Sequence, residues 1–322
     1  MHAAVLSAFG EPPRFAEFSD PEAGDGESLI EVRAAALHRV DRARATGEHY
    51  TSGNAADLPL VCGLDGVGIG PDGGRYYFAL PRTPFGSMAQ RTVVPTWTRA
   101  PLPSGLSDAE AAAFINPGMA AYLPLVWRGQ LAEGDTVLVL GATGVCGRLA
   151  IQLGRLLGAG RVVAAGRDRQ ALESLTDLGA DALIPLDLPK DKLIPAFAAA
   201  AGEDGFQVVV DYLWGPPMAA LLAALTQHEF KPVARETRIV QVGDLAGATV
   251  ELPAAALRSA RVTLSGSGGF APHEVRLKAF GKLCRFAAAG AIKIAVEEVP
   301  LAEVEQAWQR GDRDGRRQVL IP

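Results

Sequence analysis

The fold is decided by the segment Thr136-Val-Leu-Val-Leu-Gly141-Ala-Thr-Gly144-Val-Cys-Gly147-Arg-Leu-Ala-Ile-Gln152. A strand-like apolar run leads directly into three glycines spaced three residues apart, and a helical apolar pattern begins at once. Gly141 permits a tight turn, Gly144 lets backbone approach a diphosphate, and Gly147 allows close helix–strand packing. The start of a helix also favours an anion. The segment therefore predicts a dinucleotide-binding loop, with Gly141, Thr143, Gly144, Val145, Cys146 and Gly147 as cofactor-binding residues.

Strands and helices alternate from about residue 116 onward. Strands are predicted at Thr136–Leu140, Arg161–Ala165, Phe206–Asp211, Thr237–Val242 and Val262–Ser265, and helices at Gly144–Leu157, Arg169–Leu178 and Pro217–Gln227. This alternation predicts an α/β domain with a doubly wound parallel sheet of the Rossmann type. Cys146, within the loop, is interpreted as a small packing residue rather than a nucleophile.

The chain on either side of this region has a different pattern. Before residue 116, short apolar runs broken by Pro and Gly predict an irregular, mainly β structure, with runs at Leu29–Val32, Val67–Gly70, Tyr76–Leu80 and Met88–Val94. After residue 270, the pattern predicts a helix, a strand, a short helix and a last strand, at Pro272–Ala289, Val296–Val299, Leu301–Arg310 and Gln318–Ile321.

The second strand of the Rossmann region indicates which dinucleotide is bound. An NAD-binding protein carries an acidic residue about 20 residues after the glycine loop. Here the strand ends in Gly166-Arg167-Asp168-Arg169, where Arg167 and Arg169 can hold a 2′-phosphate, so NADP(H) is favoured over NAD. The alternative is that both arginines only solvate the next helix, and Asp168 weakens the case for the phosphate.

The nicotinamide half is expected to lie where later strands end, since ligands bind beyond the carboxyl ends of parallel strands. Val242-Gly243 and Ser265-Gly266 follow two such strands, and are predicted cofactor-binding residues. Their glycines permit close approach of the backbone.

Composition limits the classes of function. The 322 residues carry a formal net charge of −5, with 48% hydrophobic and 21% charged residues. This is globular composition without the basic field that nucleic acid or an anionic membrane requires. Three scattered cysteines, no signal peptide and no long apolar run predict a soluble, cytoplasmic protein whose partner is a small molecule.

Several segments, taken in order, give the chain a family resemblance. They are Ala36-Leu37-His38-Arg39-Val40-Asp41, Leu60-Val61-Cys62-Gly63-Leu64-Asp65-Gly66-Val67-Gly68, Phe85-Gly86-Ser87-Met88-Ala89-Gln90, Leu106–Ala112 and the loop Gly141–Gly147. With them the chain resembles the zinc-lacking medium-chain dehydrogenase/reductase family, close to the quinone oxidoreductases.

This resemblance implies a domain organisation and an assembly. A GroES-like, mainly β catalytic domain would be built from both chain ends, residues 1–115 and 270–322. The Rossmann domain would comprise residues 116–269, and a homodimer or homotetramer is expected. The implied activity is hydride transfer to quinones or other activated double bonds.

A zinc site is not expected. Catalytic zinc needs three protein ligands, and zinc-dependent relatives have a histidine where this chain has Leu64. Asn116 stands at the third ligand position, and three cysteines cannot form the relatives' four-cysteine lobe.

Three residues are predicted to be catalytic. Relatives carry Asn, then Asp three residues later, in a segment that faces the nicotinamide, and this chain has His38 and Asp41 there. His38 can donate a hydrogen bond or a proton, although a packed structural histidine explains it equally well. For Asp41, the alternative to a catalytic role is a structural one, in which it only stabilises its loop. Tyr50 can replace an aromatic pocket residue of the quinone reductases, or be an exposed loop residue.

The sequence therefore predicts an NADPH-dependent, metal-free reductase acting on a quinone or a similar activated acceptor. A first alternative is an enoyl-thioester or enone reductase, because Asn116–Tyr122 faintly resembles a segment of zinc-free enoyl reductases. A second is a non-catalytic NADPH-binding sensor or structural protein, because the aromatic residue after Asp41 is missing.

Overall fold

The computed structural model describes residues 1–226, 235–267, 271–311 and 315–322. The chain divides into two compact units, Met1–Asn116 with Cys284–Pro322, and Pro117–Leu283. The predicted second boundary, at residue 270, lies before a helix at His273–Ala288, whereas the observed division falls inside that helix.

The first unit is mainly β and includes both chain ends. Its strands are β1 His2–Leu6, β2 Arg14–Glu17, β3 Glu27–Ala36, β4 Leu60–Val61, β5 Asp65–Ile69, β6 Arg75–Ala79, β7 Arg91–Pro95, β8 Arg99–Pro101, β15 Ala295–Pro300 and β16 Arg316–Ile321. Its helices are α1 Arg39–Ala45 and α9 Val304–Arg310, and α2 Asp108–Leu123 begins in it.

Strand pairing explains why both chain ends belong to this unit. Within the described residues, one sheet has the order β2-β1-β4, and a larger one has the order β15-β16-β3-β5-β6-β8, with β7 also paired to β3. The pairing of β16 with β3 is antiparallel. Val299 and Leu320 from the C-terminal segment share a buried core with Ile30 and Phe78. The C-terminal strands are therefore part of the same hydrophobic core as the first hundred residues.

The second unit is a layered α/β structure. Its strands are β9 Thr136–Leu140, β10 Arg161–Gly166, β11 Ala182–Pro185, β12 Val208–Asp211, β13 Thr237–Gln241 and β14 Val262–Gly266. Its helices are α3 Val145–Leu156, α4 Arg169–Glu173, α5 Lys190–Ala201, α6 Gly215–Thr226, α7 Ala254–Ser259 and α8 His273–Ala288, the last of which continues into the first unit.

In the described residues these strands form one sheet in the order β11-β10-β9-β12-β13-β14. All of the pairings are parallel. Counted from β9, this is the order 3-2-1-4-5-6 of a Rossmann fold. The predicted fold class, a Rossmann domain with a mainly β second domain, is confirmed.

Two predicted helices differ from the observed elements. The helix predicted at Arg169–Leu178 ends at Glu173 and is followed by a 3₁₀ turn at Thr176–Leu178. Gly179, with φ of +105°, then ends that turn in the left-handed region. The predicted end of the helix Pro217–Gln227 lies outside the described residues.

In the described part of the chain, no helix is both long enough and apolar enough to cross a bilayer.

Candidate cofactor and catalytic sites

The glycine loop joins the central strand β9 to helix α3. The backbone N–H groups of Gly141 and Ala142 both donate to the carbonyl of Ala165, at 3.0 and 2.9 Å. Gly144 has extended backbone angles and immediately precedes α3. The loop is thus attached to the end of β10, and α3 points its N-terminus at the sheet edge where dinucleotides bind.

Each of the three positions carries glycine for a different structural reason. Gly141 has φ of +84°, a conformation that side chains rarely adopt. A Cβ on Gly147 would lie 2.4 Å from the Gly141 carbonyl oxygen and 2.5 Å from the Cα of Ala142. A Cβ on Gly144 would meet only the Gly141 oxygen, at 3.6 Å, and Gly144 is exposed. Gly147 is therefore required by packing, whereas Gly144 leaves an open cradle that fits a diphosphate.

The remaining loop residues support this cradle. Val145 is buried, and Cys146 is partly exposed with a reduced thiol. The hydroxyl of Tyr212 donates to the carbonyl of Cys146 at 3.4 Å and to that of Ala120 at 3.1 Å. The guanidinium of Arg148 donates to the Thr143 carbonyl at 3.2 Å. Tyr212 and Arg148 thus hold the loop at two separate points.

The end of β10 contacts the loop directly. A Cβ on Gly166 would lie 2.7 Å from the Cγ2 of Thr143, so a larger residue would displace the loop. Arg167 is exposed, whereas Arg169 pairs with Asp187 through two hydrogen bonds, at 2.9 and 3.1 Å. Asp168 caps α4 by accepting from the N–H of Ala171. Arg167 is therefore better placed than Arg169 to bind a phosphate, because Asp187 already occupies the Arg169 guanidinium.

The predicted nicotinamide-side residues follow β13 and β14. The N–H groups of Val242 and Gly243 both donate to the Asp211 carbonyl, at 2.8 and 3.2 Å. A Cβ on Gly243 would lie 2.9 Å from the carbonyl of Tyr212, whereas a Cβ on Gly266, after Ser265, would meet nothing within 4 Å. Gly243 is therefore needed for packing, and Gly266 leaves room for a ligand.

The carboxylate of Asp211 shapes the turn after β12. It accepts from the N–H groups of Leu213 and Trp214, at 2.8 and 3.0 Å. Burial raises the pKa of Asp211 to about 6, although these two hydrogen bonds lower it. Trp214 has φ of +55°, which is strained for an aromatic residue. Asp211 thus stabilises a strained turn at the edge of the sheet.

In the first unit, the predicted catalytic residue His38 belongs to a buried polar cluster. His38 precedes α1, and its ring Nε2 lies 2.8 Å from Oδ1 of Asp65, at the start of β5. The two residues are only 3% and 1% exposed. The other carboxylate oxygen of Asp65 accepts from the Tyr77 hydroxyl and from the Asn116 amide, each at 2.7 Å. Three residues from separate elements, His38, Tyr77 and Asn116, therefore meet at the carboxylate of Asp65.

This cluster keeps Asp65 ionised. Burial alone raises the pKa of Asp65, but the interactions with His38, Tyr77 and Asn116 outweigh it and hold the pKa below its usual range. Both of the carboxylate oxygens then act as acceptors. Because an ionised carboxylate has no proton to give, the Nε2 of His38 must be the donor in their bond.

Asp41 lies in the first turn of α1. Its Oδ2 accepts from the backbone N–H of His38 at 2.8 Å, which ties the helix to the residue before it. Its Oδ1 is buried without a hydrogen-bond partner. Burial raises the pKa of Asp41 to about 6, although the nearby His38 lowers it.

Tyr50 is not part of this cluster. Its side chain is 81% exposed and its ring stacks on that of His49, with centroids 4.3 Å apart.

Two positions correspond to ligands of the zinc-dependent relatives, Leu64 and Asn116. Leu64 offers no ligand atom, and the Asn116 amide donates to Asp65. Among the described residues, no group of three or more His, Cys, Asp or Glu side chains is arranged to hold a metal ion.

Sequence reasoning missed the roles of five residues. Asp65 and Asn116 entered only through family resemblance and metal-ligand positions, and no local motif marked the hydrogen bonds of Tyr77, Tyr212 and Arg148. The sequence of β6, Arg-Tyr-Tyr-Phe-Ala, has no apolar alternation that would single out Tyr77. In the sheet, Ala79 is opposite Asp65 and Tyr77 is opposite Val67, so Tyr77 and Asp65 are diagonal neighbours on one face. The hydrogen bond between Asp65 and His38 spans 27 residues and left no local pattern.

Comparison with known proteins identifies the family of this chain. No protein-family profile matches the chain. A probable NADPH-dependent quinone reductase of Emericella nidulans is 30% identical, and the match covers 100% of both chains. The chain belongs to the medium-chain dehydrogenase/reductase family, in its quinone oxidoreductase-like branch. The predicted family and the predicted class, an oxidoreductase, are confirmed.

Other members of the medium-chain family are also similar to this chain. The 2-methylene-furan-3-one reductase of Solanum lycopersicum is 31% identical over 66% of this chain and 58% of its own. The quinone oxidoreductase of Thermus thermophilus, whose structure is also known with NADPH, is 27% identical with a TM-score of 0.81 over 100% of both chains. The match to the Thermus enzyme extends over both structural units of the chain.

Proposed function

We propose that this chain is an NADPH-dependent reductase that transfers hydride to a quinone or a similarly activated carbonyl or alkene. The observation that carries the proposal is the Gly141–Gly147 loop, whose open cradle at Gly144 lies between the central strand and the start of α3. The cofactor is NADP(H), as in the full-length relative.

When bound, the cofactor supplies the hydride; the protein residues bind and orient it. The N-terminus of α3, with Thr143 and Gly144 before it, binds the diphosphate. Arg167 supplies a charge-assisted bond to the 2′-phosphate, and Arg169 orients the end of β10 through Asp187. Val242, Gly243, Ser265 and Gly266 form the backbone beside the nicotinamide half.

His38 is proposed as the group that stabilises negative charge on the acceptor oxygen. Because its Nε2 donates to Asp65, only Nδ1 is left for the acceptor. Nδ1 donates a hydrogen bond only when the ring is doubly protonated. The competing interpretation, a structural histidine, is consistent with the burial of the ring.

Asp41 and Tyr50 are proposed to play supporting roles. Asp41 fixes the start of α1 through the N–H of His38. Tyr50, exposed in the loop after α1, would contribute to acceptor binding.

An enone is the second candidate acceptor. The full-length relative is described as a quinone reductase, while the tomato relative, which matches only two thirds of the chain, reduces a methylene-furanone. Both are conjugated acceptors that place negative charge on oxygen after hydride addition. A quinone is therefore the first acceptor to test and an enone the second.

We also propose a metal-free enzyme that is a cytoplasmic homodimer or homotetramer. The metal-free proposal is supported by Leu64, which offers no ligand atom, and by Asn116, which donates to Asp65. The assembly is what the family resemblance implies. The domain division at 1–115 with 270–322, and 116–269, is proposed as the functional division of the chain.

The experiment is to follow NADPH oxidation against a panel of benzoquinone, naphthoquinone, an enone, an enoyl-CoA and an aldehyde, with NADH in parallel. We expect turnover with quinones, slower turnover with the enone, and a preference for NADPH. Faster reduction of the enone or enoyl-CoA would make the alternative the function. Tight NADPH binding without turnover on any acceptor would show a non-catalytic NADPH-binding protein.

A further inference from the structure

The strand ends around the proposed 2′-phosphate position carry acids as well as arginines. Arg167 and Arg169 follow β10, Asp168 lies between them, and Asp187 comes shortly after β11. An NAD-binding protein carries its acid at the end of the second strand, which is β10 here. In this chain the carboxylate of Asp168 caps α4, and the carboxylate that binds an arginine is that of Asp187, on the neighbouring strand.

Asp187 and Arg169 form a bidentate ion pair. The Nε and Nη2 atoms of the guanidinium donate to Oδ2 and Oδ1 of the carboxylate, at 2.9 and 3.1 Å. An arginine binds a phosphate with the same forked pair of donors. The Arg169 guanidinium holds the pKa of Asp187 below its usual range, so this carboxylate is ionised at neutral pH. A 2′-phosphate would therefore compete with Asp187 for the same donor atoms.

The sheet order places Asp187 on the outer side of the ribose position. β11 is the last strand on that side of the described sheet and pairs in parallel with β10, with Pro185 opposite Gly166. In a Rossmann fold the adenosine ribose lies beyond the end of the second strand, here β10, and the diphosphate lies at the turn after the first, here β9. The ion pair thus holds Arg169 towards the edge of the sheet and away from the cofactor.

This ion pair is exposed, so its partners can exchange. The side chains of Arg169 and Asp187 are 59% and 43% exposed, and ion pairs in such positions contribute little to stability. A phosphate monoester carries more negative charge than a carboxylate and offers three acceptor oxygens. Replacing Asp187 should therefore release Arg169 for a phosphate without disturbing the fold.

We propose that Asp187 is a specificity-determining residue, which competes with the 2′-phosphate for Arg169 and so limits the preference for NADPH over NADH. Arg167 is then the arginine that binds the phosphate in the wild-type chain, and Arg169 becomes a second one only when Asp187 is removed. This inference rests on the proposed function, because it concerns the same cofactor site.

Fluorescence titrations of the full chain with NADPH and NADH test the competition. Asp187→Asn should strengthen NADPH binding roughly three- to tenfold and change NADH binding less than about twofold, because the released guanidinium binds only the phosphate that NADH lacks. Asp191→Asn is the matched control, since it removes the same charge from an exposed acid in the first turn of α5. No gain from Asp187→Asn, or an equal gain from both variants, would overturn the proposal.

A second pair of variants shows whether the released arginine reaches the phosphate. In the Asp187→Asn background, Arg169→Gln should weaken NADPH relative to NADH roughly three- to tenfold, because the phosphate loses this guanidinium. Lys192→Gln in the same background is the control, because it removes one exposed positive charge from α5. If Arg169→Gln has no larger effect than Lys192→Gln, Arg169 does not reach the phosphate and the proposal fails.

Failure of this inference can be told apart from failure of the proposed function. If the wild-type chain binds NADPH no more tightly than NADH, and Arg167→Glu leaves that ratio unchanged, the proposed cofactor is wrong and this inference falls with it. If Arg167→Glu lowers the ratio while Asp187→Asn does not raise it, only the competition by Asp187 is wrong. These are binding measurements, so neither result depends on turnover.

Discussion

The cofactor loop and the His38–Asp65 cluster are built from different kinds of atoms, the loop from backbone and the cluster from side chains. The loop depends on backbone atoms that pack too closely for side chains, since a Cβ on Gly147 would lie 2.4 Å from the Gly141 carbonyl oxygen. The cluster consists of side chains from four separate elements that meet at one carboxylate. A site made of backbone leaves its pattern in a few consecutive residues, and a site made of distant side chains does not.

The largest effect is expected from the loop. Gly147→Ala should abolish saturable NADPH binding and lower the melting temperature, because the added Cβ collides with backbone atoms of Gly141 and Ala142 that cannot yield locally. Gly144→Ala is the matched variant, since its Cβ makes only an ordinary contact. It should keep the wild-type melting temperature and weaken NADPH by about tenfold, or 1.4 kcal/mol.

Thermal denaturation and cofactor titration of both variants check this difference. A Gly144→Ala protein that melts early would mean that Gly144 also serves packing. A Gly147→Ala protein with normal melting and normal binding would show that helix α3 does not need its close approach to the loop.

The next effect concerns the cluster. His38→Ala should lower kcat by roughly ten- to a thousandfold while NADPH affinity stays nearly unchanged, because the donor acts on charge that develops in the transition state. The variant should also lose about 3 kcal/mol of stability or more, because Asp65 remains buried and charged without the imidazole. Steady-state kinetics and urea denaturation measure the two effects separately.

His38→Asn separates chemistry from structure. Its amide donates a hydrogen bond as the related enzymes' asparagine does, so much of the rate should return. If His38→Ala changes stability but not kcat, His38 is a structural residue that anchors Asp65, and its proposed hydrogen bond to the acceptor oxygen is wrong.

A smaller effect is expected at the end of β10. Arg167→Glu should weaken NADPH by tenfold or more and leave NADH almost unchanged, because a charge-assisted bond to phosphate is worth about 1.5–3 kcal/mol. Arg169→Glu is the control, since Asp187 already pairs with that guanidinium, and its effect on NADPH over NADH should be smaller. Equal losses for both cofactors in fluorescence titrations of Arg167→Glu would remove Arg167 from the phosphate site.

The same contrast explains what the sequence could predict. The Rossmann strands and the glycine loop were predictable because buried parallel strands and a phosphate loop are local patterns. Helix α5, Lys190–Ala201, and strand β11, Ala182–Pro185, were missed. Pro195 inside α5 interrupts the helical signal, and β11 is a short edge strand in which Pro185 ends the run.

In the first unit, the elements around the site were the hardest to predict. The short helix α1, Arg39–Ala45, has only one turn of buried residues, Asp41 and Ala45, which is too little for a periodic signal. His38 and Asp41 were identified through family resemblance. The bond from His38 to Asp65 joins the start of α1 to the start of β5, which tertiary structure alone reveals.

The last prediction is that metal chelation leaves the turnover of the enzyme unchanged. A zinc ion needs three protein ligands, and among the described residues no group of three or more His, Cys, Asp or Glu side chains is arranged to hold a metal ion. Dialysis against a strong chelator, followed by elemental analysis and a quinone reductase assay, should leave turnover within error of the untreated enzyme. Zinc at one ion per chain, removed together with activity and restored with it, would contradict this prediction. It would also mean that His38 leaves Asp65 to bind the metal, and the cluster would then be a metal site like that of the zinc-dependent relatives. The His38→Asn variant is the matched control, because an amide is a poor zinc ligand but still donates to a carboxylate.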